Sequence, residues 1–598
     1  MRRYSRSPAL LVPLALAACG GAPFSSTPGP PTPPPLDHLV LTGQPSQVEA
    51  GKLFAAPIRV EVRNAQDKVV TTSTVDITLA LLAPTNSKAR LLGAATSTAQ
   101  AGVALFPGLS IHGPTGSYRL FAVSEGIDPV TSHNFSLIAT RQHVIVLVGD
   151  GLGYKQAEAT NRYTKTTPAY QGWTHHAMAT WDLDTWTLNN GLGYDPSEAW
   201  SNFSYLTAAS TDSASSATAM FTGEKTNIGQ ISVGAGNKAR LTTIHELAAA
   251  RGLGSGAVSS VPISHATPAA WTSHNSSRWN SYAIADEALF GHPNTTGDST
   301  KHPFWAGHWG PTLPGLDVLI GGGHPTWLPD FYLTAAMVQK VHDDQGLPHS
   351  WTLVERLFGK PDGGARLLAA ANNPNVTRLL GVWGGITGNI EFRHADGKGH
   401  DPENPTLPEM TRAALAVLER KPMGFALLVE GGAIDWAGHN NIMTDCIGEV
   451  IDFNRAVDVV ARWVADPTNN SNWQNTLVIV TGDHETGLLT AGPQVFPDVP
   501  LGEVSDRTLA LEKYDIVRNL RASWDDTNQN NTIDIDTGEQ LHWTWNAIAH
   551  SNSLIPLYAK GLESEDFAKH LVAVDPKRGG YVDNTTVFLV AMRALRLR

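Results

Sequence analysis

One serine in this chain has neighbours that suit a nucleophile. Ser213 lies in a run of small residues from Thr211 to Ala219, at a point where an extended segment would be followed by a helix. A run rich in Ser and Ala is as typical of a helix start as of a catalytic site. A serine hydroxyl also needs a neighbouring base or a metal ion to become reactive. The interpretation of Ser213 therefore depends on the groups that accompany it.

Acidic and imidazole groups accompany Ser213 in five other places. They occur in the segments 143–153, 265–278 and 430–439, in the pair Asp483-His484, and at His550. Carboxylate oxygen and imidazole nitrogen are the ligands of catalytic zinc sites. Two metal ions close together can neutralise a phosphate ester, activate a nucleophile and stabilise the leaving oxygen. The combination indicates a metal-dependent phosphatase.

Three of the carboxylates, Asp150, Glu430 and Asp483, stand at the ends of apolar runs. The runs are 143–148, 425–429 and 477–481. Continuous apolar runs of this length predict strands that are buried on both faces of a parallel sheet. A single aspartate in such a position is more often a turn or helix cap than a ligand, but ligands do collect at the carboxyl ends of strands in open α/β sheets. We therefore expect these carboxylates to share one edge of the sheet.

The rest of the C-terminal part alternates apolar strands with amphipathic segments. Segments 410–418 and 447–464 have apolar residues at three- and four-residue spacing, which predicts helices. This alternation predicts an α/β domain with a mostly parallel central sheet flanked by helices.

The motifs from about residue 141 to the end resemble those of the alkaline phosphatase family and occur in that family's order. The matching segments are Gly149-Asp150-Gly151, Asp212 to Ala219, Thr267 to Ala270 with Ser277-Arg278, Val429 to His439, Thr481 to Glu485, and His550 before a Pro-Leu-Tyr strand. The resemblance implies an alkaline phosphatase catalytic domain over residues 141–598.

The resemblance also implies a role for each site residue. Ser213 would be the nucleophile, Arg278 would hold two oxygens of the phosphate, and Asp212 would orient Arg278. The implied ligands are Asp435, His439 and His550 for a first zinc, Asp150, Asp483 and His484 for a second zinc, and Asp150, Thr267 and Glu430 for a magnesium ion.

Two positions vary within the family. This chain has His265 and Trp436 where some members have Asp and Lys. Two roles for His265 stay open at this point, a partner of magnesium-bound water and a direct ligand of the third metal.

The implied reaction is hydrolysis of phosphate monoesters through a phosphoserine intermediate, with phosphate scavenging in the cell envelope as its role. Two alternatives are a phosphodiesterase on the same scaffold and a noncatalytic surface-binding protein. Arg278 argues against the diesterase, since it occupies the space of a second ester group. Retention of the whole ligand set argues against loss of catalysis. The sequence does not decide between a monomer and a homodimer.

The composition excludes some classes of protein. The net charge of −12 and the absence of a long basic run argue against nucleic-acid binding. With only two cysteines, Cys19 and Cys446, no disulfide framework is expected.

The first residues resemble an export signal. Arg2, Arg3 and Arg6 precede an apolar run from Ala9 to Ala18, which is too short for a membrane span. The sequence Leu-Ala-Ala-Cys ending at Cys19 is similar to a bacterial lipobox, so residues 1–18 are predicted to be a lipoprotein signal and Cys19 a lipid anchor to the membrane of the cell envelope, in the periplasm or at the cell surface. The alternative is an ordinary cleaved signal and a secreted protein.

Two further regions precede the catalytic domain. Residues 19–35 are rich in proline, which predicts an extended tether. Residues 36–138 show short alternating stretches with turns about every ten residues, which predicts an all-β sandwich. That region resembles bacterial immunoglobulin-like domains, which act as spacers or bind surface polymers.

One segment could bind a further cation. Asp526, Asn528, Asn530 and Asp534 have the alternate spacing of a calcium loop. The turn glycine is replaced by Asn531, and no acid stands at the final ligand position. A solvated loop is the alternative to Ca²⁺ binding.

Overall fold

The computed structural model describes residues 37–597 except 50–51, 85–86, 88, 113–115, 139–140, 189–192, 238, 292–315, 327–330, 348, 386–389, 391–392 and 470. The predicted export signal 1–18 and the tether 19–35 with Cys19 lie outside the described residues. The chain divides into two compact units, Met1–Ile138 and Ala139–Arg598. Within the described part, no helix has the length and apolar character needed to cross a bilayer.

The N-terminal unit is built from strands. They are β1 His38–Gly43, β2 Gln47–Glu49, β3 Ile58–Arg63, β4 Asp76–Leu82, β5 Arg90–Leu92, β6 Thr96–Thr98, β7 Val103–Phe106, β8 Ser110–His112, β9 Gly116–Ser124, β10 Ile127–Thr131 and β11 Phe135–Ile138. Alternate residues of β4 and β9 are buried, as expected for strands with one face on a core. Ile77, Leu79, Tyr118 and Leu120 belong to that core. The prediction of an N-terminal β-rich region is confirmed.

The second unit contains a large mixed sheet and smaller sheets. Its strands are β12 Gln142–Gly149, β13 Thr174–Ala179, β14 Gly254–Pro262, β15 Val318–Gly322, β16 Thr352–Glu355, β17 Leu379–Val382, β18 Gly424–Gly431, β19 Thr476–Gly482, β20 Glu485–Thr486, β21 Leu489–Thr490, β22 Glu512–Asp515, β23 Leu520–Trp524, β24 Leu541–Trp545, β25 His550–Ser551, β26 Ile555–Gly561, β27 Leu571–Asp575 and β28 Gly579–Asp583. The large sheet has the order β16-β17-β15-β14-β18-β12-β19-β26-β13-β28-β27. The seven strands from β16 to β19 in this order are mutually parallel, whereas β26 and β27 run antiparallel to their neighbours. The predicted α/β fold with a mostly parallel central sheet is confirmed.

Helices flank this sheet. They are α1 Tyr154–Thr164, α2 Leu183–Leu188, α3 Pro196–Ala199, α4 Phe203–Ala208, α5 Ser213–Thr222, α6 Ile244–Ala250, α7 Ala266–Thr272, α8 Ser281–Phe290, α9 Ala335–Asp343, α10 Gly363–Asn372, α11 Leu407–Leu418, α12 Ala433–His439, α13 Met443–Ala465, α14 Asp506–Leu509 and α15 Thr585–Ala594. The helices α5, α7, α8 and α15 contribute to one core, and α11 and α13 to another.

The central strand β12 divides these two cores. Its residues Val144 and Val146 belong to the core that contains α5, and Ile145 and Leu147 belong to the core that contains α11. Every residue of β12 is buried. Successive side chains of a strand point to opposite faces, so a strand covered on both faces needs an unbroken apolar run. This explains why the apolar runs of the sequence mark the central strands.

Two predicted helices begin earlier than the sequence pattern indicated. The segment predicted as 410–418 begins at Leu407, and the segment predicted as 447–464 begins at Met443. The first of these helices has a capping box, in which Thr406 and Glu409 each satisfy a backbone amide of the other residue. Leu407 and Met443 are buried in the core, so each helix continues the apolar spacing about one turn before the predicted start.

Candidate active site

The register of three neighbouring strands brings the predicted carboxylates to one edge of the sheet. Gly149, at the end of β12, is paired with Gly431 of β18 and with Gly482 of β19. Asp150 and Asp483 therefore follow their strands at the same level. Glu430 differs slightly from the prediction, because it lies within β18 rather than after it. All three carboxylates are buried.

A glycine makes this close approach possible. Gly151 has a φ of 78°. A Cβ on this residue would lie 2.7 Å from the Cα of Asp435 and 2.9 Å from the hydroxyl of Thr486. Both the left-handed backbone and the lack of space require glycine here.

Ser213 is the first residue of α5, and its hydroxyl points into this group of carboxylates. The Oγ atom lies 3.1 Å from Nε2 of His484 and 3.5 Å from Oδ1 of Asp150. The side chain is buried, with 1% of its surface exposed. A position at a helix N-terminus favours the binding of negative charge. The predicted nucleophile therefore lies beside predicted ligands, in a place that suits an anion.

Asp212 holds both the helix and the predicted phosphate clamp. Its Oδ1 atom accepts a hydrogen bond of 2.9 Å from the backbone N–H of Ser215, which caps α5. Its Oδ2 atom accepts one of 2.9 Å from Nη1 of Arg278. Burial alone would raise the pKa of Asp212, but Arg278 and the bonds from Ser215 bring the pKa below its usual value. An ionised Asp212, the residue before the predicted nucleophile, holds the guanidinium.

One set of predicted metal ligands consists of Asp435, His439 and His550. The Nε2 atoms of His439 and His550 are 3.1 Å apart and lie 3.3 and 3.4 Å from Oδ1 of Asp435. Nδ1 of His439 bonds to the carbonyl of Ile548 at 2.6 Å, and Nδ1 of His550 bonds to the carbonyl of Thr211 at 2.8 Å. A carbonyl oxygen only accepts, so Nδ1 of each ring donates, and Nε2 of each ring is left facing the carboxylate. This donor set fits a cation such as zinc. We call it the outer group, because 39% of the His439 side chain is exposed.

The second set, Asp150, Asp483 and His484, is completely buried, and we call it the inner group. Ligand atoms of these three residues all lie within 4.8 Å of one another. One oxygen of each aspartate, Oδ2 in both cases, makes no hydrogen bond. Burial and the charge of Asp435 raise the pKa of Asp483 to about 6, and burial with the charge of Asp483 raises that of Asp150. Buried carboxylates without compensating donors are costly, so this set also fits a cation.

The third predicted set combines Asp150 with Glu430 and Thr267. Glu430 accepts a hydrogen bond from Ser259 through one oxygen, while its Oε1 atom has no hydrogen-bond partner. The hydroxyl of Thr267 lies close enough to lower the pKa of Glu430 but makes no well-formed hydrogen bond. Burial is the larger effect and raises that pKa to about 8. An all-oxygen set in which each residue has one oxygen without a hydrogen-bond partner fits magnesium.

His265 lies next to the clamp rather than in either zinc set. Its Nε2 atom is 3.5 Å from Nη2 of Arg278, and its ring is 5.5 Å from that of Trp436 in an edge-on arrangement. Burial and the charge of Arg278 lower its pKa to about 3, so the imidazole is neutral. Its Nδ1 atom makes no hydrogen bond. Both predicted roles of His265 fit this arrangement.

Comparison with known proteins decides the family. The profile of the Alkaline phosphatase family matches residues 141–596, which is well over half of the chain. The chain belongs to the alkaline phosphatase family. It is therefore a phosphomonoesterase, a hydrolase that acts on phosphate esters.

Individual alkaline phosphatases agree with this result. Alkaline phosphatase 3 of Bacillus subtilis (strain 168) is 27% identical over 488 residues, which are 76% of this chain and 89% of that protein. Alkaline phosphatase of Escherichia coli (strain K12) is 30% identical over 362 residues, which are 57% of this chain and 70% of that protein.

Solved alkaline phosphatases share the fold. The enzyme from the Antarctic bacterium TAB5 has a TM-score of 0.50 at 22% identity and covers 77% of this chain and 99% of its own. The cold-active enzyme from the psychrophile Shewanella sp. has a TM-score of 0.50 at 24% identity, with 76% and 99% covered.

Sequence reasoning missed two residues that support this alkaline phosphatase site. Thr486 contacts ligands directly, and Glu485 bonds to Ser551, the residue after His550. Thr486 donates a hydrogen bond of 2.5 Å to Oδ1 of Asp435 and lies 3.3 Å from Nδ1 of His484. It thus links the outer and inner groups. Glu485 accepts hydrogen bonds from Ser551 and from the backbone of β21. The only available signal was the position of both residues directly after Asp483-His484.

The predicted calcium loop lies away from these sets in the sequence, between β23 and β24. The amides of Asn528 and Asn530 donate to Oδ2 of Asp534 at 3.0 and 2.6 Å. Asp526 forms an ion pair with Lys513, which places a protein cation at the first ligand position. Glu539 accepts hydrogen bonds from backbone amides of the loop. Calcium binding stays a prediction.

Proposed function

We propose that this alkaline phosphatase transfers the phosphoryl group of a monoester to Ser213 and then to water. The observation that carries the proposal is the position of the Ser213 hydroxyl. It lies at a helix N-terminus, 3.1 Å from His484 and 3.5 Å from Asp150. The residue before Ser213, Asp212, binds Arg278. The nucleophile thus lies at an anion-binding helix end, directly after the residue that holds the guanidinium.

We assign two zinc ions and one magnesium ion to the three ligand sets. The assigned residues are Asp435, His439 and His550 for the first zinc, Asp150, Asp483 and His484 for the second, and Asp150, Thr267 and Glu430 for magnesium, with His265 nearby. Such ions, when bound, supply positive charge that stabilises the attacking and leaving oxygens of an in-line displacement.

In the first step, Oγ of Ser213 gives up its proton and attacks phosphorus. The bond between phosphorus and the ester oxygen breaks, and this oxygen leaves and takes up a proton as the alcohol. Arg278 binds two nonbridging oxygens through its planar guanidinium. Asp212 keeps the guanidinium in place through its hydrogen bond of 2.9 Å. The amides at the start of α5 add further donors for the charge that collects on the phosphoryl oxygens. Loss of Arg278 or Asp212 would therefore weaken binding of the phosphoryl group in the transition state.

In the second step, water attacks the phosphoserine from the side that the alcohol has left. Oγ of Ser213 is now the leaving atom, and it regains a proton as inorganic phosphate forms. Two in-line displacements retain the configuration at phosphorus. Because the outer group is partly exposed, water can reach this side of the site directly.

We also propose functions for the N-terminal regions. Residues 1–18 would direct export, Cys19 would carry lipid, residues 19–35 would act as a tether and residues 36–138 as an immunoglobulin-like spacer before the catalytic domain 141–598. A single acyl chain gives only weak membrane binding, so more than one chain is expected on Cys19. Phosphate scavenging in the cell envelope would suit this arrangement. Mass spectrometry of the mature N-terminus tests the anchor, and an unmodified residue after Ala18 would exclude it.

The calcium loop is a separate proposal. Asp526, Asn528, Asn530 and Asp534 would bind Ca²⁺ once Lys513 moves away from Asp526. Calorimetry of the intact protein should then detect Ca²⁺ binding that Asp526→Ala removes. Equal heats for the two proteins would exclude this site.

Steady-state hydrolysis tests the proposed reaction. The substrates are p-nitrophenyl phosphate and bis-p-nitrophenyl phosphate, at alkaline pH with zinc and magnesium. We expect a strong preference for the monoester, which Ser213→Ala removes. Chelation should abolish activity, and zinc should restore it better than magnesium alone. A preference for the bis-ester would change the substrate class, and full activity of a folded Ser213→Ala protein would contradict the role of Ser213.

A further inference from the structure

Large apolar side chains are exposed beside the active site. Trp279 is 75% exposed, Ile548 is 71% exposed and Ile228 is 50% exposed. Single apolar residues scattered over a surface are ordinary and need no explanation. These three residues differ from such scattered ones. Ile548 makes a backbone hydrogen bond to a residue of the site, and Trp279 and Ile228 are next in the chain to residues of the site.

Trp279 and Ile228 adjoin the phosphate clamp. Trp279 directly follows Arg278, and its ring centre lies 5.5 Å from the Cζ atom of that guanidinium. The backbone N–H of Arg278 donates a hydrogen bond of 2.8 Å to the carbonyl of Gly229. The N–H of Gly229 in turn donates to Asp212 at 3.1 Å. Ile228 therefore precedes a residue that contacts both members of the clamp.

The two segments run beside each other. Ile231 and Asn275 form an antiparallel bridge, and Arg278 bonds to Gly229 farther along. In an antiparallel pair, residues at matching distances from a bridge are neighbours. The side chains that precede Gly229 and follow Arg278 thus belong to the same end of this pair.

Ile548 adjoins the other side of the reacting groups. Its carbonyl accepts a hydrogen bond of 2.6 Å from Nδ1 of His439. The His439 side chain is 39% exposed, whereas the side chains of Asp150 and His484 are fully buried. The site is therefore open at His439 and closed behind Ser213. An in-line attack by Ser213 expels the alcohol on the opposite side of phosphorus, which is the open side.

We propose that Trp279, Ile228 and Ile548 form an apolar rim that binds the alcohol part of the substrate. The rim favours phosphate monoesters whose alcohol carries a flat aromatic group, such as nucleoside and aryl monophosphates, over sugar and polyol phosphates. This inference rests on the proposed function, because the phosphoryl group must lie between Ser213 and Arg278 for the alcohol to reach the rim. Tryptophan suits the task, since its ring stacks on flat aromatic groups.

The test compares adenosine 5′-monophosphate with ribose 5-phosphate. Both are esters of the same ribose hydroxyl, so the bond that breaks is the same and only the base differs. We expect the ratio of their kcat/KM values to favour the nucleotide in the wild-type enzyme. Trp279→Ala should reduce this ratio about three- to ten-fold, mainly through a higher KM for the nucleotide. Trp279→Phe should restore most of it, and Ile548→Ala should reduce it less.

Controls separate this inference from the proposed reaction. Phe358→Ala removes an aromatic side chain that is 83% exposed and follows β16, at the far edge of the large sheet, so the ratio should not change. Inhibition by inorganic phosphate should be the same in Trp279→Ala as in the wild type, since the phosphate clamp is intact. An unchanged ratio in Trp279→Ala with normal turnover of ribose 5-phosphate would overturn the rim and leave the proposed function standing. Absence of turnover of both substrates in the zinc-loaded wild type would instead contradict the proposed function.

Discussion

The inner and outer metal groups use similar ligands in different surroundings. Asp150, Asp483 and His484 of the inner group are completely buried, whereas His439 and His550 of the outer group are partly accessible. The two groups are in contact through the rings of His484 and His550, which are stacked with centres 3.6 Å apart. In the proposed mechanism, the inner group would therefore activate Ser213, and the outer group would receive the alcohol and water.

The largest effects should come from removing one ligand of each group. His484→Ala should lower kcat/KM roughly a thousand-fold or more, because Ser213 loses its neighbour at 3.1 Å and the inner cation loses a ligand. His439→Ala should also inactivate the enzyme, but excess zinc or free imidazole should recover part of its activity, since its site is open. Rescue assays at increasing imidazole check this. Equal rescue of both variants would contradict the difference between the groups.

Removal of the metal ions should lower the free energy of unfolding by as much as a tightly bound ligand adds to it. A cation present at a hundred times its dissociation constant contributes about 2.7 kcal/mol to the native state. The physical reason is that Oδ2 of Asp150 and Oδ2 of Asp483 have no hydrogen-bond partner, so removal of the cation leaves their negative charge without a neighbouring positive charge. Calorimetric melting with and without a chelator measures the shift, which should be several degrees. An unchanged melting temperature would mean that these carboxylates are satisfied without metal.

A buried cluster elsewhere in the second unit provides a contrast. His274 lies between Glu287 at 2.8 Å and Glu246 at 3.2 Å, and Arg240 also pairs with Glu246, so two cations balance two carboxylates without a metal. Chelation should not disturb this cluster.

Loss of Thr486, which links the two groups, should have a smaller effect than loss of a ligand. Thr486→Val removes the hydrogen bond to Asp435, and we expect zinc affinity at the outer group to fall about ten- to a hundred-fold. Competition with a zinc chelator measures this without reference to activity. Thr411→Val is a matched control, because Thr411 is buried and bonded to Leu407 on α11. Equal zinc affinity of Thr486→Val and the wild type would exclude Thr486 as a positioning residue.

The smallest effect concerns pH. Burial would lower the pKa of His274, but Glu287 and Glu246 raise it from the usual 6.5 to about 9. A raised folded-state pKa adds stability that is complete below pH 6.5 and is lost as the pH rises through 9. The free energy of unfolding should therefore fall by about 1 kcal/mol between pH 8 and pH 9. Denaturation at both pH values, with His274→Gln as reference, checks this, and equal slopes for the two proteins would contradict it.

Much of this site could be predicted because its carboxylates lie at the ends of strands. Asp150 and Asp483 follow unbroken apolar runs, and parallel strands must end at one edge. Thr486 and Glu485 could not be assigned, because a threonine or glutamate after a turn has many roles until its partner is known. The helix starts at Leu407 and Met443 were predicted about one turn too late, although both residues are buried and continue the apolar spacing. Exposure was invisible as well, so Trp279 attracted no attention in the sequence.

The account depends most directly on a phosphoryl group at Ser213. Turnover of a monoester can be stopped with acid, and the protein can then be digested and analysed by mass spectrometry. We predict a phosphoryl group on the peptide that contains Ser213, at this serine and not at Ser215 or Ser216, and none in Ser213→Ala. An active enzyme that never carries phosphate on Ser213, even when the second step is slowed, would contradict the account.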